Sequence, residues 1–417
     1  MYASFDFIRR IIPETATAFQ QPAFPLAGAD IDMWFEAALY FGVSAATDVL
    51  SCSRASIGYA KTLAGTLTQF ANDTLRLTSL GLLAEDSRTN IQKRSQEFDN
   101  TTEWSVSNVT VTANTTTAPD GTATADSIIT TVASGEHKVG TTSGTTTAAQ
   151  WTASCYFKPN GYNFGAIAIN NTTFDSWWVF DLVAGTSTRR DFGAAPTGET
   201  IRFEVLANGW VRPSVTIDAS ANSFILNFGV LDQSTYHTWA GDGVSGIFLW
   251  GAQVELGAFP SSYVPTTSTS ATRAADVITI SGAAQTDIAA ATGSIVAWTD
   301  NGEGAGFAAN IVDSNGTNLL GFDATNHGLA SITSTLTTAN TATRDTVAAK
   351  LGLAWSGSGR SLVLDGGSVA TDAVAQTPSS TLHLGSTGTV NFVFTYITRL
   401  VLFTSKLADA TLQGDTT

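Results

Sequence analysis

Two runs of strict alternation constrain what this chain can fold into. In WTASCYFKPN, Trp151, Ala153, Cys155 and Phe157 fall on one side. In IFLWGAQVEL, Phe248, Trp250, Ala252 and Val254 fall on one side, with Gly251, Gln253 and Glu255 on the other. A period of two belongs to half-buried β-strands. Turn signals punctuate the same region: Pro119-Asp120-Gly121, Asn208-Gly209 between IRFEVL and WVRPSVTI, and Gly241-Asp242-Gly243 beyond Tyr236 and Trp239. Pro260 and Pro265 then close the run, because proline cannot donate to a sheet ladder. Short strands separated by Gly-, Asn- and Thr-rich turns are the pattern of a sandwich or barrel. Residues 99–267 therefore read as one β-sandwich, with Phe98 and Trp104 as core anchors at its start.

The pattern restarts after residue 268. SGRSLVLDGGSVATDA reads as a strand, an Asp365-Gly366 turn and a returning strand, and FVFTYITRLVLF as a closing strand. With 417 residues there is material for two cores. The fold class expected is all-β: two sandwiches, 99–267 and 268–417, joined by the linker SYVPTTSTSATRAAD. They are preceded by connecting strands over 47–98 and by an irregular segment over 1–46. That first segment is aromatic and apolar without a period. It reads as a peg that docks on another protein, since an apolar segment lacking its own core needs a partner.

Charge excludes several classes. The net charge is −15, from 35 acidic and 20 basic residues. Nucleic-acid binding, which rests on clustered Lys and Arg, is disfavoured, as is an anionic membrane surface. No signal peptide is convincing, because Pro13-Glu14 interrupts the apolar run after Arg9-Arg10. The apolar stretch from Met33 to Val43 is too short to span a bilayer, so a soluble chain is expected. Cys52 and Cys155 make no disulfide framework and are expected to be unbridged.

The phrase WGAQVELGAFPSSYVPT (250–266) resembles the closing segment of a domain that recurs in tailed-phage structural proteins. That domain is a jelly roll similar to carbohydrate-binding modules of the galactose-binding type. Ser53-Arg54-Ala55-Ser56, followed by Leu82-Leu83-Ala84-Glu85 and Arg88-Thr89-Asn90, is similar to a second phrase of such proteins. Arg399 to Leu412 resembles the end of concanavalin- or laminin-G-like sandwiches, where a short helix closes the domain. The resemblance implies a head- or tail-fibre protein of a virion, assembled in the bacterial cytoplasm. It also implies other virion proteins as partners through residues 1–46, and a homo-oligomer, often a trimer in such fibres.

Candidate chemistry centres on sugar binding, where exposed rings stack on sugar faces and amides and carboxylates meet the hydroxyls. In INNTTFDSWWVFDL, alternation that turns Trp178, Phe180 and Leu182 inward places Asp175, Trp177 and Asp181 outward. Trp177, Asp175, Asn170, Asn171 and Tyr162 form the expected site for a host surface polysaccharide. A passive decoration or joining protein is the alternative, favoured if the aromatic residues prove buried. A depolymerase would need paired carboxylates; Glu199 with Glu204, or Asp175 with Asp181, can be nominated, but no motif singles them out. No catalytic residue is assigned and the chain is not expected to be an enzyme. His137, His237, His327 and His383 lack zinc-ligand spacing, and GEGAG at 302–306 follows no strand–helix context. No cofactor is expected. A structural calcium ion could draw on Asp120, Asp126 and Asp242, for which turn formation is the competing role. Arg54, Arg76, Glu85 and Arg88 read as structural ion pairs.

Overall fold

The computed structural model describes residues 24–170, 175–220, 223–232, 238–280, 284, 290–300, 311–313, 318–322, 328–331, 335–337, 349–375, 382–384 and 395–417. The fold is all-β, and its one described α-helix is Asp409–Asp415. Six strands form one sheet of a jelly-roll sandwich, in the order Val109–Thr116, Ala125–Thr130, Gly246–Leu256, Ala149–Asn160, Val211–Ala219, Thr200–Val205. The facing sheet runs Thr186–Asp191, Asp175–Asp181, Phe164–Asn170, Ser223–Leu231, His137–Thr145, Ser105–Ser107. Every pairing within these sheets is antiparallel. Phe98, Trp104, Trp151, Phe157, Trp178, Phe180 and Phe228 fill the space between them. The expected turns are present. Asn208 (φ 58°) and Gly209 (φ 77°) take the two left-handed positions that a tight hairpin needs.

The strand Gly246–Leu256 departs from simple alternation. Ile247, Leu249, Ala252 and Val254 face the jelly-roll core, whereas Phe248 and Trp250 point to the opposite side. The expectation that Phe248 and Trp250 share a face with Ala252 and Val254 is thus corrected. Its cause is a bulge: the register against Ala149–Asn160 shifts between Ser154 and Tyr156, and Gly251 adopts φ 65°. One extra residue on one strand inverts the faces beyond it. Trp250 is still fully buried, but among Tyr59, Leu67, Tyr156, Trp210 and Tyr263, outside the jelly-roll core.

The second sandwich is discontinuous in sequence. One sheet runs Leu39–Phe41, Ile31–Trp34, Thr395–Phe403, Gly293–Asp300, Ala349–Ser356, Gly359–Leu364, Ala370–Asp372. Gly81–Ala84 also pairs with Thr395–Phe403, and Arg76–Thr78 with Gly81–Ala84. The other sheet includes Leu50–Ser53, Val277–Ile280 and Leu382–Leu384. Residues 24–46 are therefore not an irregular leader: Met33 and Phe35 are buried in the same core as Leu351, Trp355 and Leu400. Residues 1–23 of the expected attachment segment lie outside the described residues. Nor do residues 47–98 merely connect. They supply strands to this sandwich and the hairpin Gly58–Lys61/Leu67–Phe70, whose Tyr59 and Leu67 pack with Trp250. The jelly roll is an insertion, entered through Arg88–Asn90 and left through Ala271–Arg273, which pair as an antiparallel two-stranded stalk. The expected closing elements are present as the strand Thr395–Phe403 and the helix Asp409–Asp415.

Candidate functional site

The expected sugar site does not assemble. Trp177 lies on the outward side of its sheet, opposite Trp178 and Phe180, yet it is only 2% exposed. Its ring lies against Gly229, where an added Cβ would come within 2.7 Å of it, and packs with Ala166, Ala168, Val179 and Leu231. The Lys138 ammonium sits 5.5 Å from the ring centroid. No free ring face remains for stacking. Asn170 and Asp175 face each other across the end of their hairpin, and Asn171 lies outside the described residues. Tyr162 precedes the other end of the strand Phe164–Asn170, about 25 Å away at the rise of an extended strand. There it is half-buried, with its ring 4.9 Å from that of Trp239.

What the structure does bring together are the two phrases that carry the phage resemblance. They meet where the stalk joins the two sandwiches. Arg76 is ion-paired to both Glu85 and Asp276. Arg54 donates to Asp276 Oδ1 (2.7 Å), and Arg273 Nε lies 3.6 Å from Glu85 Oε2. These five side chains are buried. Glu85 accepts from Ser262 N (2.8 Å) and Ser262 Oγ (2.5 Å), which ties the second sandwich to the end of the jelly roll. Burial alone would raise the Glu85 carboxyl, but Arg273, Arg76 and the Ser262 hydrogen bonds overcome it and hold it at about 2.

Asn90 completes the joint. Its amide donates to Ala252 O (3.0 Å) and Val264 O (2.9 Å) and accepts from Val254 N and Gln92 N (both 3.0 Å). Those are all four bonds an asparagine side chain can make. Nearby, Glu255 accepts from Ser261 N (2.9 Å) and Ser261 Oγ (2.6 Å), and Arg88 donates to Leu256 O (2.6 Å). The stretch Ser261 to Asp276 is therefore no simple linker: Tyr263, Val264, Thr266, Arg273 and Asp276 are all buried. The structural ion-pair reading of Arg54, Arg76 and Glu85 holds. Sequence reasoning missed Ser261, Ser262 and Asp276, whose partners lie far away in the chain.

The other nominated groups are occupied in structure-forming bonds. Glu199 pairs with Arg189 and accepts from Trp178 Nε1, and Glu204 pairs with Lys61 at 2.7 Å. Asp175 and Asp181 stand at opposite ends of one strand. Asp120 accepts from Thr122 N, Asp126 from Phe98 N and Asn114 N, and Asp242 from Val244 N and Ser245 N. Among the described residues no group of three His, Cys, Asp or Glu could hold a metal ion. His137 is buried, with Nδ1 2.7 Å from Asn108 O and Nε2 3.1 Å from Trp239 O. His237, His327 and residues 302–306 lie outside the described residues. Cys52 and Cys155 are both free thiols. No described helix is long and apolar enough to cross a membrane.

Comparison with known proteins adds little. No family model and no curated protein matches this chain. Among solved structures, a Trypanosoma rangeli sialidase in complex with the inhibitor DANA is similar at 10% identity and a TM-score of 0.24. That match covers 69% of this chain and 59% of the sialidase. Domains LG4-5 of the mouse laminin α1 chain are similar at 12% identity and a TM-score of 0.19, covering 66% of this chain and 85% of theirs. The chain thus spans less than two thirds of the sialidase, and neither likeness is close enough to carry an argument about activity.

Proposed function

We propose that this protein is a non-catalytic structural component of a phage-like particle, a decoration or joining element in which two sandwiches act as one rigid body. The observation that supports this most is the use of the motif residues: Glu85 binds Ser262 across the joint, Asn90 ties the stalk to the jelly roll, and Arg54 and Glu255 bind Asp276 and Ser261 on either side of it. Burial of Trp177 points the same way, since it removes the ring on which sugar stacking was to rest. The phage setting is drawn from the sequence resemblance. Mass spectrometry of purified particles from the source lysate should find the chain in fixed ratio to the other particle proteins. Recovery only as free soluble protein would overturn the proposal.

Adsorption to a host surface glycan is the second reading, and it draws on a different place. Tyr162 and Trp239, both half-buried, form a ring pair near Gly246, whose carbonyl accepts from Tyr162 N. Leu256, at the other end of that strand, meets the stalk. On this reading Trp239→Ala reduces adsorption to extracted polysaccharide about tenfold, as loss of one stacking ring implies, while Trp177→Phe does not. Equal adsorption by the wild type and Trp239→Ala would leave the structural reading alone.

A further inference from the structure

At one end of the jelly roll an open cleft of about 470 Å³ lies between the turn Leu182–Gly185 and the hairpin that joins Thr200–Val205 to Val211–Ala219. Its walls are apolar: Leu182, Val183, Phe203, Val205 and Pro159 line it, with Trp210 beneath. Val183 and Val205, 70% and 66% exposed, add apolar surface to the cleft. The volume lies in the range of small-molecule sites.

One cation lines this cleft. Lys158, near the end of the strand Ala149–Asn160, is half-buried, and its stem passes over Gly209, where an added Cβ would lie 3.9 Å from Cε. It makes no ion pair or hydrogen bond to any described residue, although acidic residues outnumber basic ones 35 to 20 in this chain. The nearby carboxylates are engaged elsewhere: Glu204 pairs with Lys61, and Asp181 accepts from Val183 N and Ala184 N. Lys158 is thus the one positive charge lining a cleft with apolar walls, which suits a ligand that carries one negative charge.

We propose that this cleft binds an amphiphilic monoanion, with a hydrocarbon body lying along Phe203, Val183 and Val205 and a carboxylate or sulfonate head at Lys158 Nζ. The site is independent of the Tyr162–Trp239 pair and of the particle assignment. The test is isothermal titration of the full chain with decanoate and, separately, with 1-decanol. The expected result is saturable one-to-one binding of decanoate, at least about tenfold tighter than 1-decanol, as one charge-assisted hydrogen bond implies. Lys158→Met should remove that preference and leave 1-decanol unaffected, whereas Val205→Asp should weaken both. Both side chains are partly or largely exposed, so both variants fold, and an unchanged melting temperature checks it. Absence of saturable decanoate binding, equal affinity for the two probes, or a preference that survives Lys158→Met would each overturn the proposal.

Discussion

The two sandwiches are made of the same kind of strand but closed in different ways. The jelly roll is contiguous: its two sheets draw on residues 105–256. The second sandwich is closed by both parts of the chain that flank it. Ile31–Trp34 pairs with Thr395–Phe403, and Asp32 is ion-paired to Arg399 across 367 positions. Both rely on pairings between strands distant in sequence, but those of the first all lie inside one continuous segment, while the second must join strands from either side of that segment, and loop closure precedes any reward from such contacts. The stalk and its buried charges join this unequal pair.

The largest effect that would break the comparison is expected from Arg76→Ala. It leaves Glu85 and Asp276 buried with one cation fewer, a change that costs about 3–5 kcal/mol. Calorimetry should then resolve two transitions where the wild type shows one. A single transition shifted as a whole would mean that the sandwiches stay coupled without Arg76 and that its ion pairs are not what couples them. Trp250→Ala should also cost about 3–5 kcal/mol. Because Trp250 packs against Tyr59 and Tyr263 rather than in the jelly-roll core, hydrogen exchange should rise first in Gly58–Phe70. Exchange rising first around Trp104 and Phe228 would contradict the inverted face.

A smaller effect separates the two regions by pH. Burial pushes the Asp126 carboxyl up to about 6, against its backbone hydrogen bonds from Asn114 and Phe98. The folded jelly roll therefore holds this proton more tightly than the unfolded chain, so Asp126 lowers stability as pH rises from about 4 to about 6. Glu85 has the opposite sign. Its folded value of about 2 lies below the ordinary range, so its contribution is present above about 4.5 and is lost as pH falls toward 2. Acidification from pH 6 to 4.5 should stabilise the jelly roll relative to Asp126→Asn, and further acidification should loosen the joint. Parallel pH profiles for wild type and Asp126→Asn would show that Asp126 does not act this way.

How much of this was legible follows from where each partner lies. The strands, the Asn208-Gly209 and Asp365-Gly366 turns and the core rings Phe98, Trp104 and Trp178 all follow from neighbours in sequence. Alternation placed Trp177 on the correct side of its sheet. Its burial depends on Gly229 and Lys138, which belong to other strands and which no local pattern brings together. The inverted face at Trp250 had a visible sign, since a glycine inside a strand marks a bulge or a close approach, and Gly251 is both. Within residues 24–46 a short period of two is present, since Ile31, Met33 and Phe35 enter one core while Asp32 lies under Arg399 on the other side. Trp34 on that second side masks the alternation, and the strand is only four residues long.

The central claim is that the buried joint holds the two sandwiches in one fixed orientation. Spin labels placed at the exposed positions Ser187 and Thr371, one on each sandwich, in a Cys52→Ser background with Cys155 buried, report it directly through their distance distribution. A single narrow distribution that broadens in Arg76→Ala is the predicted result. A broad distribution already present before the joint is altered would contradict it.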